Sequence, residues 1–161
     1  MNPDLVEGII QEVRATWPTV NDLEITLEAN PGSVEAARFE LYRQAGVNRV
    51  SVGVQALRDD ALKALGRLHS TRDALNALET AKNIFDRVSF DLIYARQNQT
   101  LNDWKRELGE AISVAGDHLS LYQLTVEEGT AFAERASRGG LKGLPEEDLA
   151  ADMFELTQDI C

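Results

Sequence analysis

Four short runs in this chain alternate apolar and polar residues with a period of two, and a helix-length stretch separates each from the next. The runs are Glu24 to Ala29, Arg49 to Gln55, Arg87 to Tyr94 and His118 to Thr125. Each is rich in Val, Ile, Leu, Phe or Tyr and has ordinary strand length. Antiparallel neighbours need only short turns, whereas parallel neighbours need a crossover of about a dozen residues or more. The spacing therefore predicts an α/β fold with a parallel sheet and right-handed crossovers.

The connecting stretches carry helix signals. Asn2-Pro3 reads as an N-cap with proline at the first helical position, ahead of Leu5, Ile9 and Val13. Ser33 opens a second helix through Phe39 and Tyr42, closed by Gly46. A short helix fits Asp59 to Leu65, ended by Gly66. Ser70 with Asp73, and Thr100 with Asp103, are capping pairs that start two longer helices. A last helix fits Glu146 to Gln158, while Glu127 to Gly143 reads as loop towards its glycine-rich end.

The alternation assigns faces. One parity holds Ile25, Leu27, Val50, Val52, Val54, Val88, Phe90, Leu92, Leu119 and Leu121, and must pack on the helices. The other holds Thr26, Glu28, Ser51, Gly53, Gln55, Ser89, Asp91, Ser120 and Tyr122. A parallel sheet buried on both faces would read as continuous apolar runs, so a curved sheet with a polar concave face is the better account. Glu28, Gln55 and Asp91 share the inner parity near the C-terminal ends of their strands. Parallel barrels build their chemistry at that edge, so the three groups mark a polar ligand site.

Composition removes several classes. Hydrophobic residues at 43% and charged residues at 27% of the 161-residue chain provide a core for one domain. A formal net charge of −11 argues against nucleic acid as a partner. No run reaches the roughly 18 apolar residues of a membrane span, and the N-terminus has no secretory pattern, so a cytoplasmic location is expected. Cys161 is the only cysteine, and His69 and His118 have no ligand-like spacing, so no metal site is expected in the chain.

Six stretches, in order, resemble one family. Glu24-Ile25-Thr26-Leu27-Glu28-Ala29-Asn30-Pro31-Gly32 looks like a third-strand motif of radical S-adenosylmethionine (SAM) proteins. More narrowly, it resembles the branch of oxygen-independent coproporphyrinogen III oxidases and the haem chaperone HemW. Ala45 to Gln55 resembles that branch's fourth strand, and Leu65-Gly66-Arg67-Leu68-His69-Ser70 the following loop. Asp91-Leu92-Ile93-Tyr94 begins its fifth-strand motif, and Leu119 to Thr125 its sixth, with Glu128 to Ala133 resembling the next segment. The resemblance implies a partial (βα)6 TIM-like radical SAM barrel, of which residues 1–161 are the central part, strands three to six, truncated at both ends.

The resemblance also implies site residues. Glu28, Gln55 and Asp91 would contact SAM from successive strands, and Arg67 would reach the methionyl carboxylate, a task suited to a planar guanidinium. Two departures stand out. The turn Ala95-Arg96-Gln97-Asn98-Gln99-Thr100 stands where the resemblance implies a Gly- or Pro-containing one before Gln-Thr, and the cluster motif CxxxCxxC is absent. The full-length family binds SAM and a [4Fe–4S] cluster, and this segment is expected to hold no cluster. Porphyrin or haem is the implied partner. The alternatives are a haem-binding chaperone without oxidase activity and an unrelated barrel enzyme or structural domain.

Overall fold

The structure, a computed structural model, describes residues 1–33, 36–116 and 118–161. Strands β1 (Thr26–Ala29), β2 (Arg49–Gln55), β3 (Arg87–Tyr94) and β4 (Leu119–Gln123) form one sheet in the order β1-β2-β3-β4. Every pairing is parallel. Helices are α1 (Pro3–Thr16), α2 (Ala36–Gln44), α3 (Asp59–Ala64), α4 (Thr71–Ile84), α5 (Leu101–Val114), α6 (Ala131–Ser137) and α7 (Glu147–Ile160).

The capping signals act as read. Asn2 accepts from the Asp4 N–H at 3.1 Å at the start of α1. Ser70 with Asp73 and Thr100 with Asp103 close reciprocal capping boxes on α4 and α5, satisfying N–H groups that a helix start leaves unpaired. Gly46 and Gly66 take φ of +108° and +74° where α2 and α3 end, a backbone that side chains disfavour.

The face assignment holds. Val50, Val52, Val54 and Leu92 are fully buried, and Phe90 nearly so, beneath helices that contribute Ile10, Phe39, Leu78, Trp104 and Met153. Each such side chain contributes about 1.5–3 kcal/mol through burial. Trp104 stacks on Tyr94 with ring centroids 5.1 Å apart and donates its indole N–H to Thr157 Oγ1 at 2.8 Å, fastening α7 to α5 and β3.

Several boundaries differ from the sequence reading; β4, for one, is shorter than the run from His118 to Thr125. β1 begins at Thr26 because the Asn48 side chain, not a ladder amide, takes the Ile25 N–H at 2.7 Å and donates to the Leu23 carbonyl at 2.9 Å. Ser33 belongs to a 3-10 turn, Pro31–Ser33, and α2 starts at Ala36; residues 34 and 35 lie outside the described residues. The stretch read as loop contains α6, capped by Thr130 and followed by Gly139 at φ +71°.

Candidate functional site

The inner face carries two linked groups of side chains. In the first, the Ser51 hydroxyl on β2 donates to Asp91 Oδ1 on β3 at 3.0 Å. Ser51 also hydrogen-bonds Glu28 on β1, and Ser120 on β4 hydrogen-bonds Asp91. The Ser51 hydroxyl thus lies between two carboxylates on the strands either side of it. Burial pushes Asp91 above its ordinary range, opposed by the Ser51 bond and the Arg49 charge. Glu28 is also raised, by burial first and then by the charge of Asp91, while Arg49 and Ser51 pull it down.

The second group depends on an unusual backbone. β2 slips register against β3 between Val52 and Gln55, a bulge at the strand's end. Gln55 takes φ of +71°, and the Ala56 N–H bonds back to the Val54 carbonyl at 2.9 Å. This is a γ-turn of the strained, positive-φ kind. It directs Gln55 Oε1 to the guanidinium of Arg67, whose Nη2 donates to it at 2.8 Å. A methyl on Gly53 would meet Gln55 Nε2 at 3.4 Å and the Ala29 carbonyl oxygen at 3.6 Å, so the Gln55 amide lies along the inner face near the end of β1.

The loop carrying Arg67 is pinned by its neighbours. The Arg67 N–H donates to the Leu62 carbonyl at 2.8 Å, and the ring Nε2 of His69 lies 3.1 Å from the Val54 carbonyl oxygen. His69 is buried, so it serves as a fastener between this loop and β2. Arg67 also lines a cleft of about 1030 Å³ with Asn30, Pro31, Gly32 and the first turns of α4.

All four residues named from the sequence therefore lie on or beside one face, as Glu28–Ser51–Asp91 and Gln55–Arg67. Sequence reasoning missed Arg49. Its guanidinium donates to Ser89 Oγ at 3.0 Å and Thr26 Oγ1 at 3.3 Å, and it pairs with Glu24 at 3.7 Å. Residue 49 shares the parity of Ser51 and Gln55, so the period-two pattern already contained this signal. The departed turn after β3 keeps a left-handed backbone without glycine, with φ +56° at Ala95 and +57° at Asn98.

Chemically, the arrangement offers carboxylate acceptors for hydroxyl or ammonium groups and a guanidinium for a carboxylate. Among the described residues no group of three or more His, Cys, Asp or Glu could hold a metal ion, and the one thiol, Cys161, is exposed at the end of α7. No helix among them is long and apolar enough to cross a membrane.

Comparison with known proteins decides the family. The radical SAM superfamily model matches residues 1–111. The chain belongs to the radical SAM superfamily. It is 41% identical over 159 residues to the heme chaperone HemW of Escherichia coli (strain K12), covering 95% of this chain and 41% of that protein. It is 40% identical over 155 residues to the mitochondrial radical S-adenosyl methionine domain-containing protein 1 of Bos taurus, covering 96% of this chain and 35% of that one. Coproporphyrinogen III oxidase (HemN) from Escherichia coli superposes with a TM-score of 0.80 at 23% identity, over 99% of this chain and 37% of that structure. The four parallel strands with their helices are thus a segment of the radical SAM TIM-like barrel, and the chain spans well under half the length of these relatives.

Proposed function

We propose that this radical SAM chain is the SAM-contacting centre of a (βα)6 barrel, strands three to six, in a protein of porphyrin or haem metabolism. The observation that supports the reading is that Glu28 and Asp91 flank Ser51 on the inner face of the sheet, while Gln55 at the end of β2 pairs with Arg67 in the loop beside it. Arg67 would take the methionyl carboxylate, and Glu28 and Asp91 would accept from amino and hydroxyl groups. Gln55 orients Arg67 while offering its own amide. When bound beside a [4Fe–4S] cluster, SAM supplies a 5′-deoxyadenosyl radical; the cluster's thiolates come, in this reading, from residues outside these 161. In this reading Glu28, Gln55, Arg67 and Asp91 bind and orient SAM. A cytoplasmic location goes with this reading, although the Bos taurus relative is named as mitochondrial.

Within the branch, the 41% identity to HemW makes handling of haem a second reading beside oxidation of a porphyrinogen. Haem titration of the chain tests this. His69 is excluded as an iron ligand by its burial against Val54, whereas His118, Tyr122 and Cys161 are exposed. A Soret shift abolished by replacing one of those three supports the chaperone reading, and no shift opposes it.

For the SAM site, nuclear magnetic resonance titration should move signals of Glu28, Gln55, Arg67 and Asp91 together at weak affinity. Perturbations elsewhere overturn the assignment. Micromolar affinity by calorimetry would overturn the claim that the site is shared with residues beyond this segment.

A further inference from the structure

The left-handed turn at Gln55 needs something to hold it, because a γ-turn of this hand is costly and persists only where its surroundings over-determine it. His69 grips Val54 on one side of the turn. On the other side is a carboxylate that the sequence reading did not single out. Glu107, on α5 behind the sheet, is 2% exposed. Its Oε1 accepts from the Leu57 N–H at 2.7 Å, two residues after Gln55. Its Oε2 accepts from the Arg96 guanidinium and from Gln99 Nε2 at 3.3 Å. Gln99 Oε1 in turn accepts from the Arg96 N–H at 3.1 Å. A single buried carboxylate therefore ties down the turn after β2 and the turn after β3, which holds Ala95 and Asn98 left-handed without glycine.

We propose that Glu107 is a positioning residue for the ligand edge, setting the backbone at Gln55 through the Leu57 N–H and so the Gln55–Arg67 pair. The functional half of this inference rests on reading Gln55 and Arg67 as ligand contacts; the geometric half does not. Arg96 is the counter-charge that allows Glu107 to remain buried. Were the Leu57 anchor lost, residue 55 would relax to ordinary extended backbone and its amide would leave Arg67.

The test compares two forms of the chain in which the buried pair is uncharged and which differ in whether residue 107 offers Leu57 an acceptor. Arg96→Leu with Glu107→Gln keeps an oxygen for Leu57, and Arg96→Leu with Glu107→Leu does not. In the parent and the Gln form, residue 55 should give the strong intraresidue amide-to-Hα cross-peak of a left-handed residue, and the Leu57 amide should resist exchange. In the Leu form both signatures should vanish, and SAM should bind about tenfold more weakly, as for loss of an outer-shell partner. Retention of both signatures in the Leu form overturns the proposal. Loss of both with unchanged SAM affinity overturns the ligand reading of Gln55 and leaves the geometric half standing. Should the Leu form not fold, the parent alone decides. A through-hydrogen-bond coupling between the Leu57 amide nitrogen and the Glu107 carboxyl carbon is expected, and its absence refutes the anchor.

Discussion

Breaking the Arg96–Glu107 pair from one side should be far worse than removing it altogether. The two side chains are 8% and 3% exposed, so Arg96→Leu leaves a carboxylate in the interior without its counter-charge. Such a change costs about 3–5 kcal/mol. Two terms set where in that range it falls. Glu107 keeps the Leu57 and Gln99 donors, which reduces the loss. Arg96 itself carries Nε and Nη1 without a hydrogen-bond partner, so deleting it also relieves unmet donors and keeps the cost at the lower end of the range. The single change should therefore cost about 3 kcal/mol, a large part of the roughly 5–15 kcal/mol that stabilises a domain. Glu107→Gln alone strands the guanidinium and should cost at least as much. The double change, Arg96→Leu with Glu107→Gln, removes both charges while retaining an acceptor for Leu57, and should lie within about 1 kcal/mol of the parent. Urea unfolding followed by circular dichroism measures all four chains, with an unchanged slope confirming that stability alone has moved. If the double variant loses the sum of the two singles to within about 0.5 kcal/mol, the pair is not coupled and the reasoning fails.

Asp91→Asn should stabilise the chain at neutral pH. Burial raises the folded-state pKa of Asp91, so its contribution is fully present below the unfolded value and is lost as pH rises through the folded one. The advantage of Asn should accordingly close as pH falls to the ordinary carboxylate range near about 4, and a gap independent of pH would exclude this cause. Ser51→Ala removes a bond that lowers both Glu28 and Asp91, so carbon-detected titration should find both carboxyls displaced upward. Movement of only one would show that the hydroxyl is not shared. Thr157→Val strips the Trp104 indole of its acceptor and should cost about 1–2 kcal/mol in the same urea assay, whereas no loss would mean that α7 is held by apolar contact alone.

How much of this could be read beforehand follows from the range of each signal. The parity of β2 and β3 is local, and it set both strand boundaries and the face carrying Gln55 and Asp91, as the parity of β1 did for Glu28. Capping at Ser70 and Thr100 spans three residues and was equally legible. The seven residues of α6 make barely two turns, too few for a helical period to stand out beside Gly139 and Gly140. The tie between Leu57 and Glu107 joins residues 50 apart through a backbone N–H, which leaves no trace in side-chain pattern. The torsion at Gln55 was hidden for a related reason: glutamine does not advertise a left-handed backbone as glycine or asparagine would.

That torsion narrows what evolution can do at one codon. Asn and Gly tolerate a left-handed residue far better than glutamine does, yet Gly has no side chain and Asn is one methylene short of the reach Gln55 uses. A randomised library sorted only for folded, soluble protein should drift to Gly or Asn at position 55, while one sorted for ligand retention should keep Gln. The separation between those two outcomes would reveal selection for binding before any substrate had been named.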